Sequence, residues 1–151
     1  MSASGWDYLC DHDPDLGAAL ERLRRKVFAD GDYFPLTMNP EYAAATGRAP
    51  AEHAPATIDA LLAMQGREGT HSILDICHGV SATPRGGAVS TLTEAQRVEQ
   101  FGTATPSCEQ VTAWMRDGGF HRLLPRTSAV VVACTRDGAP LHLHFGGRSG
   151  R

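Results

Sequence analysis

The segment Glu68-Gly-Thr-His-Ser-Ile-Leu-Asp75 places one imidazole, two hydroxyls and two carboxylates within a short stretch of chain. Histidine changes its charge near neutral pH, so His71 is the natural candidate for a general acid or base. The carboxylate of Asp75 would orient the ring and stabilise its charged form, as in a catalytic dyad. A structural alternative stays open, in which Thr70 caps a turn and His71 hydrogen-bonds a backbone carbonyl.

The secondary structure of this segment decides whether the two groups can meet. In a helix, His71 and Asp75 are one turn apart and in contact. In a strand they share a face but stand about 13 Å apart. The β-branched residues of Ser72–Cys77 favour a strand over a helix that opens at Thr70.

A second polar group, Asp30-Gly-Asp-Tyr33, lies where a predicted helix ends and a proline-rich segment begins. Loops that are held by rigid elements often carry function. We therefore expect either Asp75 or Asp32 to be the partner of His71, and Tyr33 to donate a hydrogen bond to a developing oxyanion. The alternative is that Tyr33 only packs on the core. The similar aromatic–acid group at Trp6–Tyr8 is interpreted as an anchor for the N-terminus.

Two histidines near the C-terminus, His142 and His144, form a weaker candidate metal site. A strand places alternate residues on one face, so both imidazoles would point the same way. Two histidines need at least one further ligand to hold a metal. His121, His71 or Asp75 could supply it. An equally good explanation is that both histidines belong to the solvated face of an amphipathic strand.

Helix-capping residues mark the elements that must position these groups. Asp13 and Pro14 begin a helix that runs to Asp30 and ends at Gly31. Further helices are predicted for Ile58–Gln65 behind Thr57, for Glu94–Phe101 behind Thr93 with Gln96 at the capping-box position, and for the residues from Thr105-Pro106 up to Gly118-Gly119.

The C-terminal third gives the clearest strand signal. Ala129–Thr135 and Leu141–Phe145 flank an Asp-Gly pair, which is typical of a β-hairpin, and a short strand is predicted for His121–Leu124. Together these patterns predict a single α+β domain over residues 1–151. We expect a small antiparallel sheet with a C-terminal hairpin and three to four helices packed on one face.

Length and composition fit a domain with its own core. The chain has 151 residues, of which 42% are hydrophobic and 21% charged, close to ordinary globular usage. There is no apolar run long enough for a membrane span, and residues 1–15 lack the pattern of a signal peptide. The excess of arginine after residue 115 is interpreted as a balance for the acidic remainder, so no nucleic-acid partner is expected.

The four cysteines, Cys10, Cys77, Cys108 and Cys134, show no spacing that is typical of a zinc site. Without an export signal, we expect a cytoplasmic protein in which all four thiols are free.

Four segments resemble a family of small, uncharacterised actinobacterial proteins. They are Gly5-Trp-Asp-Tyr8, Val27-Phe-Ala-Asp-Gly-Asp-Tyr33, Glu68-Gly-Thr-His-Ser-Ile-Leu-Asp-Ile76 and Phe145-Gly-Gly-Arg-Ser-Gly150. The resemblance spans most of the chain and implies a cytosolic bacterial protein. It implies nothing about the type of reaction.

The first functional hypothesis is a cofactor-independent tailoring enzyme of a bacterial biosynthetic pathway, of the cyclase, lyase or isomerase type. His71 would transfer the proton of a small-molecule or peptide substrate. The second hypothesis is a non-catalytic binding or immunity-type protein that uses the 31–56 segment and one sheet face. The third is a metal-dependent enzyme with His142 and His144. A homodimer is the alternative to a single chain, and no membrane partner is expected.

Overall fold

A five-stranded sheet lies at the centre of the computed structural model, which describes residues 4–33, 41, 55–65 and 69–149. The strands are β1 (Ser4–Asp11), β2 (Val80–Ser81), β3 (Val89–Thr91), β4 (Ser128–Arg136) and β5 (Ala139–Ser149). Their order in the sheet is β1-β5-β4-β3-β2, so β5 is bordered on both sides and β1 forms one edge.

The sheet is mixed. β5 pairs antiparallel with β1 and with β4, whereas β3 pairs parallel with both β4 and β2. The α+β class and the C-terminal hairpin are therefore confirmed, but the expectation of an antiparallel sheet is wrong for its β2–β3–β4 part. The parallel neighbours β3 and β4 are joined by a long crossover connection that contains two helices, whereas the short strands β2 and β3 are joined by residues 82–88.

The hairpin between β4 and β5 turns at Asp137-Gly138, as predicted. Both residues have positive φ angles, 52° and 79°, which suit the twist of a two-residue hairpin. β5 extends to Ser149, beyond the predicted end at Phe145, because its last residues pair with β1 on one side and β4 on the other.

Four helices belong to the described residues: α1 (Leu16–Asp30), α2 (Ile58–Gln65), α3 (Glu94–Phe101) and α4 (Cys108–Arg116). The predictions for α2 and α3 are confirmed. Thr57 accepts a hydrogen bond from the Ala60 amide at 3.1 Å, and Thr93 forms a complete capping box with Gln96. Within the described ranges, none of these helices is both long and apolar enough to cross a membrane.

The two other helices begin later than predicted. Asp15, rather than Asp13, caps α1, since its carboxylate accepts a hydrogen bond from the Ala18 amide at 3.0 Å. Ser107 caps α4 in a capping box with Gln110, so Thr105-Pro106 lies before the helix.

The helices pack on both faces of the sheet, not on one as predicted. In β4, Ala129 and Val131 belong to the core cluster that contains buried residues of α1 and α2. Val130 and Val132 belong to a second cluster that contains α4. The physical reason is visible in the sequence of β4, since a strand with apolar residues at successive positions must be covered on both sides.

Two short segments adopt neither of the expected structures. Ile73–Asp75 forms a single 3₁₀ turn instead of a strand or an α-helix. His121–Leu123 is also a 3₁₀ turn rather than a strand. The largest part of the predicted 31–56 segment, and Glu68, lie outside the described residues.

A disulfide joins Cys108, the first residue of α4, to Cys134 in β4, with the two Cα atoms 4.7 Å apart. The prediction of four free thiols is therefore wrong for this pair, whereas Cys10 and Cys77 are free. The pairing arises because α4 lies across the face of β4 that carries Cys134. These two cysteines consequently do not support the reducing compartment inferred from the sequence.

Gly146 allows α4 to approach β5 closely. An added Cβ at this position would overlap the sulphur of Met115 and lie 3.3 Å from the Phe120 ring. We expect Gly146→Ala to lower the free energy of unfolding by about 1–3 kcal/mol, because overpacking forces neighbouring side chains out of their preferred positions. Urea denaturation measures this loss.

Gly17→Ala is the matched control, since its new Cβ would make only an ordinary contact, 3.5 Å from a carboxylate oxygen of Asp15. Alanine favours a helix over glycine by up to about 1 kcal/mol. The control should be as stable as the wild-type protein or more so. Equal stability of Gly146→Ala and wild type would contradict the close approach.

Candidate functional site

The turn that carries His71 is organised by the buried carboxylate of Asp75, which is 8% exposed. One carboxylate oxygen accepts hydrogen bonds from the Thr70 amide at 2.7 Å and the Thr70 hydroxyl at 2.9 Å. The other accepts from the His71 amide at 3.1 Å. Asp75 was predicted to be the partner of the imidazole. Its carboxylate binds the backbone of the turn instead, so it is a positioning residue.

Ser72 completes the turn from the other side. Its hydroxyl accepts a hydrogen bond from the Leu74 amide at 3.2 Å and lies 2.6 Å from the Thr70 hydroxyl. His71 adopts a left-handed backbone conformation with φ of 53°. Such a conformation is unusual outside glycine and persists only where the surroundings impose it. The hydrogen bonds to Asp75 and Ser72 provide this constraint.

The turn is attached to α1. The guanidinium of Arg24 donates a hydrogen bond to the Leu74 carbonyl at 3.0 Å. Ile73 and Leu74 are fully buried in the cluster that contains Leu20 and Leu23 of α1. As a result, the backbone of His71 has a fixed position relative to the end of α1.

An open pocket of about 470 Å³ brings together three of the four predicted catalytic residues. We call it the His71 pocket, and its lining residues are Gly5, Trp6, Asp7, Tyr8, Gly31, Asp32, Tyr33 and His71. His71, Asp32 and Tyr33 thus line one hollow, although they come from separate parts of the chain. Asp75 is not among the lining residues and lies behind the turn.

The end of α1 determines where Asp32 and Tyr33 lie. Gly31 adopts a left-handed conformation with φ of 66°, and the Asp32 amide donates to the Val27 carbonyl at 3.0 Å. The ring of Tyr33 stacks on Phe28, with centroids 6.2 Å apart and planes within 8°. Tyr33 therefore packs against the core and also lines the pocket, and its role as a hydrogen-bond donor stays a prediction.

Tyr8 is a pocket residue that the sequence analysis missed. Burial raises the pKa of its phenol to about 12, and the nearby charges of Asp32 and Asp75 add to this effect. Hydrogen bonds to the Ile73 backbone and the Ser72 hydroxyl act in the opposite direction. At neutral pH, Tyr8 is a neutral hydrogen-bond donor.

His142 and His144 share one face of β5, as predicted, but they contact carboxylates of β1. The Nε2 atom of His144 lies 2.7 Å from a carboxylate oxygen of Asp7. His142 lies 3.9 Å from Asp11. Among the described residues, no three histidine, cysteine or acidic side chains gather where they could hold a metal. The proposed third ligands are placed elsewhere; for example, the ring of His121 lies near Gly5.

The His144–Asp7 pair connects the pocket to the opposite face of the sheet. His144 is 3% exposed, and its Nδ1 atom is buried without a hydrogen-bond partner. Since a carboxylate only accepts hydrogen bonds, the Nε2–H of His144 donates to Asp7. The half-exposed Asp7 side chain lies on this opposite face, so Asp7 lines the His71 pocket with its backbone while its carboxylate contacts His144.

Comparison with known proteins gives no match to a family model, to a curated protein or to a solved structure. The resemblance to small actinobacterial proteins therefore stays a prediction. The geometry of the His71 pocket is the observation from which a function can be inferred.

Replacing Asp75 tests its positioning role. We expect Asp75→Asn to lower the free energy of unfolding by about 1.5–3 kcal/mol, because hydrogen bonds to a charged acceptor are lost and an amide donor faces the donors of Thr70 and His71. Urea denaturation gives the value. Asp11→Asn, at a fully exposed carboxylate, is the control and should change stability by less than about 0.5 kcal/mol. Equal effects of the two substitutions would rule out this role of Asp75.

The raised pKa of Tyr8 predicts a pH dependence. Between pH 10 and about 12 the unfolded chain has released this phenolic proton while the folded protein retains it. The unfolded state then binds fewer protons, so stability falls as the pH rises through this window. Titration of phenolate absorbance should show one tyrosine with a pKa of about 12 that is missing in Tyr8→Phe. An identical titration of both proteins would contradict the assignment.

Proposed function

We propose that this protein is a cofactor-independent enzyme that uses His71 as a general acid or base, in a reaction of the cyclase, lyase or isomerase type. The observation that supports this proposal is the convergence of an imidazole, a carboxylate and two phenols on one open pocket. The four groups come from three elements: His71 from the turn after α2, Asp32 and Tyr33 from the C-terminal end of α1, and Tyr8 from β1.

The roles follow from the chemistry of each group. His71 removes a proton from the substrate and returns it at another atom. Asp32 stabilises the imidazolium that forms in between. Tyr8 and Tyr33 donate hydrogen bonds to an oxygen that gains negative charge. The pKa of Tyr8, at about 12, keeps its proton available for this purpose at neutral pH.

The backbone conformation of His71 also supports the proposal. Residues in sparsely populated conformations cost about 1–3 kcal/mol and cluster at active sites and ligand-binding sites. Glycine adopts a left-handed conformation at lower cost than histidine, as Gly69 does two residues earlier with φ of 68°. The backbone of the turn alone would therefore favour glycine at position 71. Histidine at this position is explained if its imidazole is required.

The proposal includes a setting, which is a tailoring step of a biosynthetic pathway in the cytoplasm of a bacterium, with a small-molecule or peptide substrate. The resemblance described above is the basis for this setting. The Cys108–Cys134 disulfide is unusual for such a compartment. Thiol labelling of protein trapped with acid in its native host would show whether the bond exists there.

The test compares wild type with His71→Gln on an extract of small molecules and peptides from the native host, followed by mass spectrometry. We expect wild type to convert at least one compound, and His71→Gln to do so about 10²–10⁴ times more slowly. Glutamine retains hydrogen bonding but cannot transfer the proton.

His12→Gln serves as the matched control, because His12 is exposed and lies outside the residues that line the His71 pocket. It should convert the same compound at the wild-type rate. Conversion by His71→Gln at the wild-type rate, or an extract that wild type leaves unchanged, would rule out the proposed function.

A further inference from the structure

The outer edge of β1 is a surface that the proposed chemistry does not use. Among the described residues no strand pairs with this edge. The His12 amide donates to the Leu141 carbonyl at 3.2 Å, and antiparallel ladders alternate between residues that bond their neighbour and residues that do not. The amides and carbonyls of Trp6, Tyr8 and Cys10 consequently point to β5. Those of Gly5, Asp7, Leu9 and Asp11 point outward.

A groove accompanies this edge. A second hollow of about 500 Å³ lies between β1 and α1, and its lining includes Leu9, Cys10, Leu23 and Val27. This hollow shares Tyr8 and Asp32 with the His71 pocket. The two hollows therefore follow β1 from Gly5 to Asp11, the last seven residues of this strand.

The shape of this groove suits an extended chain. A strand that pairs with β1 would satisfy the outward backbone groups and alternate its side chains between the two faces of the sheet. On one face these side chains would contact α1 and the half-buried ring of Tyr8. On the other face they would lie beside Leu9, which is 52% exposed.

The negative charge of the groove indicates which kind of peptide would bind there. Four carboxylates line the two hollows, against two basic side chains. The basic residues are already neutralised, since Arg22 pairs with Asp13 and Lys26 with Asp30. Asp7 and Asp11, which contact His144 and His142 on the face of β1 that carries Leu9, and Asp32 beside α1 leave a negative potential along the edge. This potential favours lysine or arginine on a bound chain.

We infer that the substrate of the His71 pocket is an extended, basic peptide segment that adds to the sheet as a sixth strand along β1. This inference rests on the proposed function, because it names the substrate class of the same site. Backbone hydrogen bonds to the edge give affinity in this mode of recognition, while side-chain pockets and charge give specificity. A peptide bound in this way passes the His71 pocket at the Gly5 end of the strand.

Leu9→Pro tests the inference without disturbing the β1–β5 pairing. The Leu9 amide points outward, so proline removes a donor from the edge but not from the ladder. The probe is a fluorescent peptide of about eight residues with alternating lysine and valine, with a glutamate–valine peptide for comparison. We expect saturable binding of the basic peptide only, about tenfold weaker for Leu9→Pro than for Leu9→Ala, because both variants lose the leucine side chain but only proline also loses the amide donor.

Two further measurements keep the inference falsifiable if Leu9→Pro fails to fold. The lysine–valine peptide methylated on every backbone nitrogen should not bind wild type, because neither of its edges can donate to the outward carbonyls. Asp11→Asn should weaken binding of the unmethylated peptide by up to about fivefold, with a smaller dependence on salt. Full binding of the methylated peptide, or equal binding of the acidic one, would overturn the inference.

A second copy of the chain is the competing occupant of the edge. Analytical ultracentrifugation of wild type should show a monomer. A dimer that Leu9→Pro separates into monomers would assign the edge to self-association and overturn the inference.

His71→Gln separates the inference from the proposed function. Peptide binding should be the same in this variant as in wild type, since the imidazole is not needed for pairing with β1. Peptide binding without any His71-dependent conversion would contradict the proposed function and leave the docking intact. Conversion of a non-peptide compound, with no peptide binding, would contradict the inference alone.

Discussion

The carboxylate of Asp75 is the constraint on which the candidate site depends. It accepts hydrogen bonds from three donors of the turn at Thr70 and His71, and charge-assisted bonds of this kind offset the cost of burying a carboxylate. They also impose the left-handed backbone of His71. Arg24 of α1 also donates a hydrogen bond to this turn. The hydrogen bonds of Asp75 and Arg24 together therefore determine where His71 lies relative to Asp32 at the end of α1.

The other wall of the pocket depends on the packing of β1 against β5. Gly147 lies beneath the ring of Trp6, where any Cβ would overlap it, and the indole donates to the Ser149 hydroxyl at 2.9 Å. These contacts fix β1 against the end of β5. The Tyr8 side chain, on the same face of the strand as Trp6, therefore reaches the pocket from a well-anchored backbone.

Local signals in the sequence were sufficient to predict the helices and the hairpin. The capping box at Thr93 and Gln96 and the Asp-Gly turn act within a few residues, so their outcome does not depend on the rest of the fold. β1 was missed although its signal was present, since Trp6, Tyr8 and Cys10 alternate with residues of the outer face. This alternation was hard to recognise because the segment is short and close to the N-terminus, and because Asp7 and Asp11 are unusual residues for a strand.

The features that could not be predicted arise from contacts between distant residues. The Cys108–Cys134 disulfide spans 26 residues, and four cysteines allow three pairings between which spacing alone cannot decide. Likewise, Asp75 was identified as important, but its role depends on a 3₁₀ turn that neither helical nor strand periodicity encodes. His71, Asp32 and Tyr33 were expected to lie close together. The contribution of Tyr8 could not be predicted, because it depends on where β1 lies in the sheet.

The acidic residues of β1 connect the stability of the sheet edge with its selectivity. Exposed edges tend to pair with other chains, and charged side chains are a common protection against this. If two copies paired symmetrically about Leu9, Asp7 would face Asp11 of the second copy, and pairing about Asp7 would place that residue opposite itself. A pairing centred on Tyr8 avoids both clashes, so the protection against self-association is partial. A basic strand has no acidic side chain to place opposite these carboxylates, so no register brings like charges together across the pair.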